Sequence, residues 1–377
     1  MIQPEVFYNS LSEQGIDFFT GVPDSLLKNI CAYIQDNVPK SKNIIAANEG
    51  NAIALATGYH LATGRIPLVY MQNSGLGNAI NPLISLVDKD VYSIPMLLMI
   101  GWRGEPGVKD EPQHVKQGKV TIPLLQAMGI PYLILDGVIE NATIQLEQAI
   151  KKAKVSQGPF ALIIRKGLFD TYKLSKKHGN STQLVFKREE AIKVIIDNMD
   201  ADSIVVSTTG KTSRELFEYR EFLAQGHQHD FLTVGSMGHA NQIALGIALQ
   251  KPTKQIICFD GDGALIMHSG SFGIIASLEP KNFIHIVFNN GSHESVGGQP
   301  TIGDNIDFCK IATGFGYKKC VKVSDKSALK KAIDDLSNTE GPLLIEVKVA
   351  IGSRDNLGRP SISPTENKGN LMKFLQQ

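Results

Sequence analysis

What most restricts this chain is an alternation that runs through it twice. Short apolar runs rich in branched residues stand at 17–21, 43–46, 67–71, 96–101, 132–135 and 160–165. Longer segments with helical spacing lie between them, at 25–36, 50–62, 77–87, 113–128 and 141–154. Strands that alternate with helices of this length predict βαβ units and a parallel sheet. The pattern then breaks. From 168 to 187 the chain is polar, with Asp170, Lys173, Lys176, Lys177 and His178 and few apolar residues. Such a stretch reads as a connection between domains. Beyond it the alternation restarts, with strand-like runs at 203–207, 231–234, 255–259, 283–288, 318–323 and 343–349. Helical segments are expected at 189–198, 212–222, 240–250, 269–278 and 326–336. The expected fold class is therefore α/β, with two doubly wound parallel-sheet domains at 1–170 and 188–352 and a linker at 171–187. The polar tail at 353–377 is either solvated or a lid over a site. No period typical of a solenoid stands out.

Composition narrows the function classes. Lys plus Arg total 38 and Asp plus Glu 37, a formal net charge of +1 over 377 residues. That balance argues against nucleic acid or an anionic membrane as the main partner. The longest apolar stretch, 94–102, is too short to span a bilayer, and the N-terminus lacks a basic start followed by an apolar core. Cys31, Cys258, Cys309 and Cys320 form no CxxC pair, so zinc-ribbon and thioredoxin-like sites are disfavoured. Free thiols fit the cytoplasm, the expected compartment.

The most specific signal lies in the second half. The run at 255–259 leads into Asp260-Gly261-Asp262-Gly263-Ala264, and Asn289-Asn290-Gly291-Ser292 follows after the 25 residues 264–288. Successive strands of a parallel sheet end side by side, at the edge where ligands bind. Asp262 and Asn290 are thus expected to converge. A carboxylate, an amide oxygen and a backbone carbonyl make an oxygen-only set, which suits Mg²⁺ completed by phosphate oxygens and water. Gly261 and Gly263 would let a diphosphate approach the backbone, and the following helix N-terminus supplies N–H groups. Read singly, each element is an ordinary tight turn.

This arrangement resembles the thiamine diphosphate enzymes, whose hallmark is GDG followed, after a helix and a return strand, by NN. The resemblance covers both halves and leaves no room for the middle domain of larger members. It implies a pyrimidine-binding domain, a diphosphate-binding domain and a thiamine diphosphate cofactor with Mg²⁺. By the same resemblance Asp262, Asn290 and the Ser292 carbonyl hold the metal, and Gly261, Gly263 and Ala264 border the diphosphate. Glu49, in Ala46-Ala47-Asn48-Glu49-Gly50, would bond the N1′ atom of the aminopyrimidine. Taken alone it is only an acid at a helix N-terminus. Within Gly235-Ser236-Met237-Gly238, Met237 would wedge under the cofactor and the Gly235 carbonyl would accept from its amino group. Thr208, Thr209 and Gly210 close another strand where the diphosphate would lie, with a helix cap as the plain alternative. The family builds its site between subunits, which implies an obligate homo-oligomer.

Gly75-Leu76-Gly77-Asn78 does not complete a dinucleotide fingerprint, because Ile80 stands where a small residue is needed. A nicotinamide-dependent oxidoreductase is therefore a weak reading, and a diphosphate-binding module without turnover is a distant one. Four segments, GVPDSLL, NEGNAIALATGYHLATG, NSGLGNAINPL and GWRGEPGVKDEPQH, are similar to the phosphonopyruvate decarboxylase family, with sulfopyruvate decarboxylases as close relatives. So is the tail stretch SRDNLGRP. The implied partner is a small 2-oxo acid carrying a phosphonate. Ser25, Arg103, Lys109 and Arg354 are its expected contacts, since guanidinium donors match paired anionic oxygens. Related decarboxylases place a His near the end of the strand that here reads Tyr70-Met71-Gln72-Asn73, and this chain has none there. His114, His293 and Asp24 are the candidates for proton transfer.

Overall fold

The alternation becomes two six-stranded sheets in which every strand pair is parallel. The computed structural model describes residues 1–175, 184–336 and 339–376. They divide into unit 1, Met1–Lys177 with Ser295–Gln299, and unit 2, His178–Glu294 with Pro300–Gln377. The middle of the expected linker, 176–183, lies outside the described residues.

Unit 1 contains β1 (Phe19–Gly21), β2 (Asn43–Ile45), β3 (Leu68–Gln72), β4 (Met96–Gly101), β5 (Tyr132–Ile134) and β6 (Pro159–Ile164), in the order β2-β1-β3-β4-β6-β5. Its helices include α1 (Pro4–Glu13), α2 (Lys28–Asn37), α3 (Glu49–Thr63), α4 (Leu76–Ser85), α5 (Pro112–Ala127) and α6 (Ile139–Ser156). Unit 2 contains β7 (Ile204–Ser207), β8 (Asp230–Leu232), β9 (Ile256–Gly261), β10 (Phe283–Asn289), β11 (Lys319–Val323) and β12 (Leu343–Lys348), in the order β11-β12-β10-β9-β7-β8. Numbered from the start of each unit, both sheets run 2-1-3-4-6-5. The two halves thus repeat one topology. The first and third strands flank the point where strand order reverses, which is where open parallel sheets bind ligands.

All of β4 and β6 is buried, as expected when helices cover both faces of a sheet. Side chains alternate across the sheet. Leu97 and Met99 pack on one face with Leu146 and Phe160, while Leu98 and Ile100 pack on the other with Ala56 and Leu83. Unit 2 does the same, with Ile257 and Phe259 facing Leu216 and Leu329, and Cys258 facing Ala244 and Phe272. Cys31 and Cys258 are buried, and all four cysteines are free. Among the described residues, no helix is long and apolar enough to cross a membrane.

The second half holds α7 (Arg188–Asp197), α8 (Lys211–Phe222), α9 (Ala240–Gln250), α10 (Asp262–Met267), α11 (Ser271–Leu278), α12 (Phe308–Phe315), α13 (Lys326–Leu336) and α14 (Pro364–Leu375). Beyond the expected helices, the structure adds α1, α10, α12 and α14. The helix expected at 269–278 is preceded by α10, which starts in the Gly-Asp-Gly turn. The tail is not a solvated strand of chain. Ser363 caps α14, whose Leu371 is buried, and Asn367 bonds the backbone of β8 at both Asp230 O and Leu232 N.

Candidate active site

In unit 2 the register pairs Gly261 with Phe288, so β9 and β10 end together. Asp262 is the first residue of α10, with 3% of its surface exposed. Its carboxyl accepts the Thr301 hydroxyl and the backbone N–H groups of Asn290 and Gly263. Burial pushes its pKa up to about 6, against those hydrogen bonds and the Lys348 charge. Lys348 is itself ion-paired with Asp304. Asn290 is buried, its Oδ1 accepts the Ser292 N–H at 3.0 Å, and its Nδ2 donates to Glu294 at 3.0 Å. Glu294 is held by Arg188 at 3.1 Å and Lys211 at 2.7 Å, which fixes which way the amide faces. The hydroxyl of Ser292 is buried without a partner among the described residues. A buried carboxylate with no ion pair among the described residues, beside an oriented amide oxygen, is a donor set that fits a hard divalent ion.

The neighbouring strand end also lies at this edge. Thr208 is buried, its N–H bonds Phe259 O at 2.8 Å, and its carbonyl accepts Ser213 Oγ at 2.7 Å. Thr209 and Gly210 are half-buried at the start of α8. Gly235 and Met237 are half-buried, and between them Ser236 adopts φ 52°. A non-glycine residue in that region stores roughly 1–3 kcal/mol, a strain common at ligand sites. Ala264 is buried behind Gly263, and His293 lies over Gly263, where an added Cβ would come 3.1 Å from its Cε1. Burial depresses the His293 pKa to about 4, so the ring is neutral at pH 7.

In unit 1, Glu49 opens α3, and Asn48 caps the helix by accepting Asn51 N at 2.9 Å. Glu49 is 5% exposed, and its carboxyl accepts Asn78 Nδ2 at 2.7 Å and its own backbone N–H. Gly75 packs so closely on it that a Cβ would fall 2.4 Å from Oε1. Burial raises its pKa, with the Asn78 bond opposing. A raised pKa brings a carboxyl closer to the range in which it can exchange a proton with a ligand.

A second cluster joins Asp24, Ser25 and Arg103. Asp24 is fully buried and accepts Gln72 Nε2 at 2.6 Å and Leu26 N at 2.9 Å. Burial lifts its pKa, partly countered by these bonds and by the Arg103 charge. Arg103 donates through Nε at 2.8 Å and Nη2 at 2.5 Å to Asp110, and through Nη1 to Ser25 Oγ at 2.8 Å. The guanidinium in turn holds the Asp110 carboxyl well below the usual range. His114 is buried in the first turn of α5, while Lys109 is exposed. Arg354 pairs with two acids of unit 2. Its guanidinium binds Glu189 at 2.8 Å and Glu218, two acids that sequence spacing gave no reason to pair with it.

Sequence reasoning did not single out Thr301, Asp110, Glu294 or the Asn78–Glu49 bond. Asn78 stood in a turn already noted, but nothing in its spacing says that it reaches back 29 residues.

Comparison with known proteins agrees with this division. Residues 4–123 match the thiamine pyrophosphate enzyme N-terminal TPP binding domain, and residues 208–347 the C-terminal TPP binding domain. A phosphonopyruvate decarboxylase of Streptomyces viridochromogenes is 33% identical over 97% of this chain and 93% of its own. One from Streptomyces hygroscopicus is 31% identical over 100% and 95%. A sulfopyruvate decarboxylase of Methanosarcina acetivorans is 29% identical over 85% and 84%. With Glu49 in the first matched range and the Asp262–Asn290 pair in the second, the chain belongs to the thiamine pyrophosphate enzymes, in the phosphonopyruvate decarboxylase family.

Proposed function

We propose that this chain decarboxylates 3-phosphonopyruvate to phosphonoacetaldehyde and carbon dioxide, as a step in phosphonate biosynthesis. The observation that carries the reading is full-length similarity to two proteins of that activity, at 33% and 31% identity. Residues 1–170 would form the pyrimidine-binding domain, 188–352 the diphosphate-binding domain, and 353–377 a tail closing on the latter.

Asp262, Asn290 and the Ser292 carbonyl would hold Mg²⁺, and through it the diphosphate. Thr208, Thr209, Gly261, Gly263 and Ala264 would border that diphosphate, with Gly235 and Met237 under the rings. Thiamine diphosphate, when bound, supplies the nucleophilic carbon and the electron sink for carbon dioxide loss. The chain's own part is to place charge and protons. Glu49, held by Asn78 in a nearly dry slot, would be the group that shares a proton with the pyrimidine N1′. Arg103, braced by Asp110, and Ser25 bind the phosphonate, and Lys109 adds positive charge at the exposed side. Asp24, His114 and His293 are the groups able to return a proton to the product carbon. His293, being neutral, would do so only after receiving one.

The enzyme is an obligate homo-oligomer in this reading, with sites completed across subunits, and it works in the cytoplasm. The competing substrate is sulfopyruvate, favoured by the 29% identical relative. Purified protein with thiamine diphosphate and Mg²⁺ is offered each acid while carbon dioxide is measured. Faster release from phosphonopyruvate supports the assignment, and equal or faster release from sulfopyruvate overturns it.

A further inference from the structure

Gln299 is 1% exposed, and both polar atoms of its carboxamide, Nε2 and Oε1, are buried without a hydrogen-bond partner among the described residues. Native interiors rarely leave such groups unmet, because each costs about 1–3 kcal/mol. The side chain is therefore built to meet something else. It ends the segment Ser295–Gln299, which belongs to unit 1. Gly297 and Gly298 lead into it at φ 130° and 78°. An added Cβ on Gly297 would sit 2.8 Å from the Gln299 amide and 3.1 Å from Lys28 Cβ. Lys28 opens α2 three residues after Ser25, the hydroxyl that accepts from Arg103. The residues that flank the segment in sequence are also anchored. Glu294 accepts from Asn290, and Thr301 donates to Asp262.

That donor and acceptor are both idle selects the ligand. Phosphoryl groups of this type have a second pKa of about 6, and a phosphonate titrates in the same region. Its monoanion therefore presents P–O acceptors and one P–OH donor. A sulfonate is fully ionised and only accepts. We propose that Gln299 reads the phosphonate of the substrate, with Nε2 donating to a P–O oxygen and Oε1 accepting the P–OH. It thereby sets the preference for phosphonate over sulfonate. Arg103 supplies the charge attraction, which both anions share. A sulfonate would leave Oε1 facing a second acceptor, and unpaired buried polar groups are what give sites of this kind their discrimination. This inference rests on the decarboxylase reading above.

The test compares the full chain with Gln299→Met and Gln299→Glu, all loaded with thiamine diphosphate and Mg²⁺. The first readout is kcat/KM for 3-phosphonopyruvate and for sulfopyruvate. The second is binding of phosphonoacetate and sulfoacetate, which lack the keto group and are not turned over. Trp102 is the only tryptophan and directly precedes Arg103, so its fluorescence follows binding. The wild type should favour the phosphonate of each pair by at least about tenfold. In Gln299→Met that ratio should fall by about tenfold, through loss of the phosphonate, with sulfonate values within about threefold of wild type. Gln299→Glu should reject both anions. An unchanged ratio in Gln299→Met, as expected if the amide merely holds a water, overturns the proposal. If wild type decarboxylates neither acid, the functional reading fails, while the binding comparison still decides the role of Gln299.

Discussion

Glu49 is a carboxylic acid with almost no water around it, one side-chain amide donor beside it and no ion pair among the described residues. Those are poor conditions for a structural charge and good ones for proton exchange with a ring nitrogen. Glu49→Gln keeps the shape and the Asn78 contact but cannot carry the proton. It should lower kcat by at least about 100-fold, with folding and cofactor affinity little changed. A rate within threefold of wild type would remove Glu49 from the chemistry. His293 makes a pH prediction. Its folded pKa of about 4 lies below the unfolded value of 6.5, so the unfolded chain takes up a proton first as pH falls. Stability from this group is present above pH 6.5 and is lost as the pH falls toward 4. At pH 5 the loss is about 2 kcal/mol at most. Urea midpoints at pH 7.5 and 5 should lie further apart for wild type than for His293→Gln, and equal shifts in both proteins would contradict this.

At the scale of elements, the strands were legible because two-sided burial writes them as continuous branched runs, as in β4, where every residue is buried. The longer helices were legible from their spacing. α1, α10 and α12 were not. α10 has only six residues, too few turns for a periodic stripe to rise above the surrounding turn residues. α14 was hidden for another reason. It presents few apolar residues and docks partly through Asn367, an amide whose two bonds to β8 leave no trace in hydropathy. Removing them should matter. Asn367→Ala strands the Leu232 N–H in the interior and should cost about 1–3 kcal/mol. Chemical denaturation measures that loss, and no change would mean that α14 rests on unit 2 without being held there. Arg103 could be picked out as a cation on a loop, but its brace could not. Asp110 is one of three acids within 105–111, and only the fold shows which of them the guanidinium binds.

For the whole molecule, the repeated 2-1-3-4-6-5 order was not written in the sequence, since alternation specifies that strands are parallel but not which ones are neighbours. The GDG and NN turns needed only two of those neighbours, β9 and β10, and so their convergence could be foreseen. In the proposed assembly, a pyrimidine-side edge such as that holding Glu49 must meet a diphosphate-side edge from another copy. Sedimentation at micromolar concentration should therefore find a dimer or larger in every active fraction, and an active monomer would refute it. The central claim is that Asp262 and Asn290 bind a divalent ion which in turn binds the diphosphate. Calorimetric titration of thiamine diphosphate into metal-stripped protein tests it most directly. Binding should be lost without Mg²⁺, return when Mg²⁺ is added, and fail to return in Asp262→Asn; full-strength binding without the ion, or in that variant with it, would contradict the account.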